Sequence, residues 1–105
     1  MDAAAVSLAG MNAAAVGVSV VANNIANVNS KDYKAKRVDL EDIREGGVKP
    51  SGLQESEETA APGWSNVDLA TEFTDLLAYS DTYKVNAKVL EAKKEMLGTV
   101  MDMKV

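Results

Sequence analysis

VVANNIANVNSKDYK, residues Val20 to Lys34, is the stretch from which the rest of the chain is read. It sets Asn23, Asn24 and Asn27 on little more than one helical turn, among the apolar Val21, Ile25 and Val28. Asparagine is a mediocre helix former because its amide competes with the backbone for hydrogen bonds. Two readings account for so many amides on one helix surface. In the first, the helix is ending and the amides cap its last free carbonyls. In the second, they line a polar seam between packed helices, where a buried Asn fixes register at some cost in stability. Spacing alone leaves both open.

Towards the N-terminus, Met1 to about Val28 reads as one helix. Met11, Val18 and Ile25 recur at seven-residue spacing, and Ala14, Val21 and Val28 follow them three residues later. This is an a/d pattern of the kind that pairs helices. Gly10, Gly17 and many alanines leave little bulk, so a partner helix can approach closely. Each glycine costs about 1 kcal/mol in a helix interior relative to Ala, so the helix depends on packing for its order. No charge follows Asp2 until Lys31, a run long enough to span a bilayer. Ser7, Asn12, Ser19 and the reliance on weakly apolar Ala favour burial against protein instead. No basic segment precedes the run, as a cleaved signal peptide would require.

The whole chain of 105 residues is one small domain with a modest core. It has no Cys and no His, which removes disulfides, thiolate metal sites and the commonest general base. Its net charge of −5 gives no nucleic-acid footprint. Asp39, Glu41 and Asp42 lack the spacing and the glycine of a calcium loop and read as a solvated acidic edge. No nucleophile or phosphate-binding constellation stands out, so the expectation is a protein without enzymatic activity, cofactor or small-molecule substrate.

From Lys31-Asp32, a turn, the chain alternates weakly through Leu40. Gly46-Gly47 is a second turn, and Val48 to Leu53 can return as a strand in which Pro50 suits an edge. Residues 30–64 are therefore a connector with a small β-hairpin or irregular structure, ending in a linker closed by Pro62-Gly63.

Ser65 opens the second helix, with Asp68 completing a variant capping box. Leu69, Leu76, Tyr83, Leu90 and Leu97 then mark one face at seven-residue spacing, widened by Phe73, Ala87 and Met101, and the stripe reads as core. Tyr79 and Tyr83 read as packing residues with solvated hydroxyls. Acidic residues crowd its first half (Asp68, Glu72, Asp75, Asp81) and Lys84, Lys88, Lys93 and Lys94 fill the second, which complements the helix dipole. The expected fold is mainly α, with long helices at 1–29 and 65–105 pairing as a coiled-coil-like hairpin.

Both helices carry a resemblance. Gly10-Met11-Asn12-Ala13-Ala14, then Ala22-Asn23-Asn24-Ile25-Ala26-Asn27 with Asn29-Ser30 and Tyr33-Lys34, resemble the N-terminal signature of the bacterial flagellar rod and hook proteins. Ser30 stands where that family has Thr, and Asp32 where it usually has Gly. Ser65 to Ala70 with Glu72, Tyr83 with Asn86-Ala87-Lys88-Val89, and Glu95-Met96-Leu97 resemble its C-terminal signature. The connector is short beside the β-rich insertions of most members, so the chain is similar to the short rod proteins.

The resemblance implies a structural subunit of the flagellar basal body rod, with copies of itself and other rod and hook proteins as partners. It further implies passage through the flagellar type III export apparatus without a cleaved signal peptide, to a rod spanning the periplasm, and no membrane insertion. The residues expected to carry helix packing and assembly are Met11, Ala14, Val18, Val21, Asn23, Asn24, Ile25 and Asn27 on the first helix. On the second they are Leu69, Phe73, Leu76, Tyr83, Asn86, Leu90 and Leu97. The rival expectation is a free-standing oligomeric helical module, acting as a regulator or export-associated factor.

Overall fold

The computed structural model describes residues 2–103. Helix α1 (Ala3–Ala26) leads into strands β1 (Lys36–Asp42) and β2 (Val48–Glu55), and helix α2 (Leu69–Met103) follows. The described chain is mainly helical, with one small antiparallel hairpin. Its principal extents are 69 × 25 × 14 Å, so it is long and thin.

α1 starts where Asp2 accepts a hydrogen bond from the Ala5 N–H, 2.9 Å away, satisfying one of the free donors of the first turn. It stops at Asn27, whose N–H reaches back to the carbonyls of Asn23 and Asn24, while the Val28 N–H bonds the Ile25 carbonyl. Ser7, Gly10, Ala13, Ala14, Gly17, Val21 and Asn24 are its buried residues. Apart from Ala13 they alternate steps of three and four, which makes a heptad seam against α2.

That seam lies one residue round from the expected one. Ala14 and Val21 belong to it, but Met11, Val18 and Ile25 are only half-buried at its flank. The reason is bulk. A Cβ added to Gly17 would lie 2.5 Å from ring carbons of Tyr79, and one added to Gly10 would lie 2.8 Å from the Asn86 amide. Only a row of small residues lets α2 come so close, and Met11 or Val18 could not replace it. The helices run antiparallel, with Asn24 facing Glu72, Gly17 facing Tyr79, Gly10 facing Asn86, and Asp2 bridged to Lys93 at 3.3 Å.

On α2 the row that meets α1 is thus Glu72, Tyr79, Asn86 and Lys93. The expected leucine stripe lies beside it, and is not wholly core. Leu76 and Leu90 are half-buried, whereas Leu69, Phe73, Tyr83 and Leu97 are exposed. α1 is shorter than α2 and carries mostly small side chains, so it covers a narrow strip of its partner. The side chain of Met101 lies outside the described residues, as do Met1, Lys104 and Val105.

α2 begins at Leu69, not at Ser65. Asp68 is its cap, accepting from Ala70 N–H at 3.0 Å through its carboxylate and from Glu72 N–H through its carbonyl. Ser65 and Asn66 stay outside because their side chains are engaged elsewhere, as described below.

The hairpin runs back along α1. Gly46 and Gly47 turn it at φ of 111° and 94°, a region that side chains with a Cβ rarely enter. Asp39 pairs with Gly52 and Leu40 with Pro50, leaving Ser51 as a bulge beside the proline. Val38 is the buried strand residue. Both strands pack against α1, which also packs against α2. By length and composition alone, α1 is also apolar enough to cross a membrane.

Candidate functional site

The two sequence signatures meet at one place, where the end of α1, the start of the connector and the approach to α2 converge. Asn24 is its centre and is fully buried. Its Oδ1 accepts from the Lys36 N–H at 2.9 Å and from the Tyr33 hydroxyl at 3.0 Å. Its Nδ2 donates to the Lys36 carbonyl at 2.7 Å and to the Glu72 carboxylate at 3.0 Å. Every donor and acceptor position of the amide is filled. Towards Lys36 the side chain acts as a peptide group would, exchanging an N–H and a C=O with the first residue of β1. Of the two readings of the asparagine cluster, the polar seam holds for Asn24.

The capping reading holds for Asn27. Its Nδ2 donates to the Asn23 carbonyl at 2.8 Å, and its Oδ1 accepts from the Ser30 hydroxyl at 2.9 Å. Asn23 is exposed and donates to the Tyr33 hydroxyl at 3.2 Å. Tyr33 therefore relays a chain of bonds from Asn23 to Asn24, and the Lys36 ammonium sits 4.8 Å from the centre of its ring.

A second amide clamps the connector from the other side. Asn66 Oδ1 accepts from the Ala35 N–H at 2.6 Å, and its Nδ2 donates to the carbonyls of Ser56 and Glu58. Its own N–H bonds to the Tyr33 carbonyl, and the Ser65 hydroxyl donates to the Val28 carbonyl. Residues 33–36 are thus held by Asn24 on one side and Asn66 on the other. Asp32 has a φ of 56°, a region Asp enters more readily than most residues with a Cβ, and its carboxylate accepts from the distant Gly63 N–H at 3.0 Å. That is the position where the resembled family usually has Gly.

Glu72 is the charged member, 6% exposed, and it receives the Asn24 amide. One heptad on, burial against α1 pushes the Tyr79 hydroxyl above its ordinary pKa. Among the described residues no group of acidic side chains is placed to hold a metal ion.

Of the residues singled out in the sequence, Asn23, Asn24 and Asn27 come together here, and Ala14 and Val21 continue the seam. Asn86 lies at the far end of the seam against Gly10, its amide donating to the Thr82 carbonyl. Met11, Val18, Ile25, Leu69, Phe73, Leu76, Tyr83, Leu90 and Leu97 lie outside the junction along the helix pair. Tyr33, Asn66 and Glu72 do work at the junction that was not anticipated, and Tyr79, read as a packing residue, packs against Gly17 in the seam. The one available signal was that Glu72, Tyr79 and Asn86 repeat every seven residues just behind the leucines.

The model for the flagella basal body rod protein matches residues 5–34, and that for the flagellar basal body rod FlgEFG protein C-terminal region matches residues 65–103. The chain belongs to the flagellar basal body rod protein family. The two matched regions contribute the two sides of the asparagine junction, Asn23 to Tyr33 from one and Ser65 to Glu72 from the other. Among curated relatives, the flagellar basal-body rod protein FlgG of Buchnera aphidicola subsp. Baizongia pistaciae (strain Bp) is 38% identical over 53 residues. That stretch is 50% of this chain and 20% of the relative, so the chain spans only a fraction of that rod protein's length.

Proposed function

We propose that the chain is a structural subunit of the flagellar basal body rod that assembles with copies of itself and with other rod proteins through α1 and α2. Membership of the rod family supports the structural role and the basal body as its place. The observation that carries assembly through the helices is uncovered apolar surface along the pair. Phe73 and Leu77 are 50% and 67% exposed, and Val85, Val89, Met96 and Leu97 continue along α2. Beside the seam, Ala15, Val18, Ser80, Tyr83 and Lys84 line an open groove of about 430 Å³. The chain exposes 7428 Å² in all. A compact monomer of its 11.1 kDa mass would expose roughly 5,700 Å². The excess is about twice the ~800 Å² that one partner contributes to a standard protein–protein interface.

Val18 and Tyr83 line this groove, and the seven-residue rows Met11, Val18, Ile25 and Leu69, Leu76, Tyr83, Leu90 to which they belong are the residues we expect a neighbouring helix to meet. Sedimentation of the purified chain over a wide concentration range tests the reading. Growth to open-ended assemblies supports a rod subunit. A single closed stoichiometry at every concentration supports the free-standing helical module instead.

A further inference from the structure

Asn24 ties together two elements, α2 and the hairpin, that share no backbone pairing. α2 and the hairpin both pack against α1, and side chains of each line a common cavity with it, Leu40 and Val48 from the hairpin and Tyr79 from α2, but the strands pair with no part of α2. The Asn24 amide nevertheless bonds Glu72 of α2 and the backbone of Lys36 at the start of β1. Its orientation is not free. Lys36 N–H and the Tyr33 hydroxyl both require an acceptor, so Oδ1 faces them and Nδ2 must face the Lys36 carbonyl and Glu72. The Glu72 carboxylate accepts and cannot donate, which matches that orientation and no other.

We propose that the buried Asn24 amide is a conformational coupler: docking of α2 places the Glu72 carboxylate, which fixes the amide, which in turn holds the first residue of the hairpin. Four bonds on one buried amide strengthen or fail together, because a lost partner leaves an unsatisfied polar atom in a dry site. When α2 is displaced, Nδ2 loses its carboxylate, the amide loosens, and the Lys36 N–H and carbonyl lose their partner. The hairpin, whose anchorage to the rest of the chain is modest, then frays from its Lys36 end. This goes beyond the assembly reading and stands without it, since all the groups lie within one chain.

The test is amide hydrogen exchange on the dilute, monomeric full chain, comparing Glu72→Gln, Glu72→Ala and Glu72→Leu with the unaltered protein. Leu90→Ala, on the same helix and remote from the junction, is the control for general destabilisation, compared where its overall stability equals that of each Glu72 variant. We expect exchange at Lys36 and through Val38 to rise about threefold for Gln, whose amide oxygen still accepts, and tenfold or more for Ala and Leu. The control leaves the hairpin slower than its matched Glu72 variant. Should Glu72→Leu fail to fold, the Gln and Ala variants carry the comparison. Hairpin exchange that does not change across the series, or that rises equally in the control, overturns the coupling. Failure of the chain to assemble with rod proteins leaves this result untouched, so the two readings fail separately.

Discussion

The Tyr79 ring packs against Gly17, so close that a Cβ on the glycine would overlap the ring at 2.5 Å. The contact explains how a helix made largely of Ala, Val and Gly holds a partner at all. A helix with little side-chain bulk gains from backbone approach, because an aromatic ring then meets many atoms at contact distance.

Gly17→Ala should therefore destabilise the chain by about 1–3 kcal/mol, the steric cost outweighing the better helix propensity of Ala. Gly10→Ala should cost less, since the group it meets is the short amide end of Asn86, which can turn aside. Urea melts of the two variants check the order.

Asn24→Ala should lower stability by roughly 3 kcal/mol, because Lys36, Tyr33 and Glu72 each lose a partner in a buried place. Asn27→Ala, which loses bonds at a partly solvated helix end, should cost about 1 kcal/mol. Equal losses in thermal melts would contradict the central place given to Asn24.

How much of this was legible in the sequence follows from the nature of each signal. The two helices and the hairpin are local: periodicity, glycine turns and Pro50 report them within their own segments. The family signatures identify the junction segments because they hold the amides themselves. The seam was harder to place. Met11, Val18 and Ile25 repeat as clearly as Gly10, Gly17 and Asn24 do, and apolar periodicity selects the larger residues. What decides the register is steric closeness between helices, with Tyr79 on Gly17, and no local pattern encodes it. The burial of Asn24 depends likewise on Lys36 and Glu72, far away in sequence.

At the opposite end of the pair, the Ala5 N–H and then the Lys93 ammonium hold the Asp2 carboxyl below its ordinary value of 3.8. A depressed carboxylate adds stability above its unfolded value and loses it as pH falls through the lower folded value. The melting temperature of the unaltered chain should thus exceed that of Asp2→Ala near neutrality, with the gap closing below pH 3.8. Because Asp2 is fully exposed the gap is small, and a gap independent of pH would remove the charge from the account.

Core and outward positions on α2 should separate cleanly. Leu76→Asp and Leu90→Asp, half-buried beside the seam, should cost about 2–4 kcal/mol. Leu77→Asp, 67% exposed, should change stability by less than about 0.5 kcal/mol. In sedimentation it should abolish assembly while leaving circular dichroism unchanged.

The measurement that bears most directly on the central claim is quantitative mass spectrometry of basal bodies purified from cells producing either the unaltered chain or Leu77→Asp. The account predicts that the unaltered chain co-purifies with the rod proteins and that the folded variant is missing from them. Absence of the unaltered chain from basal bodies, with recovery of the same chain as a closed oligomer elsewhere in the cell, would contradict it.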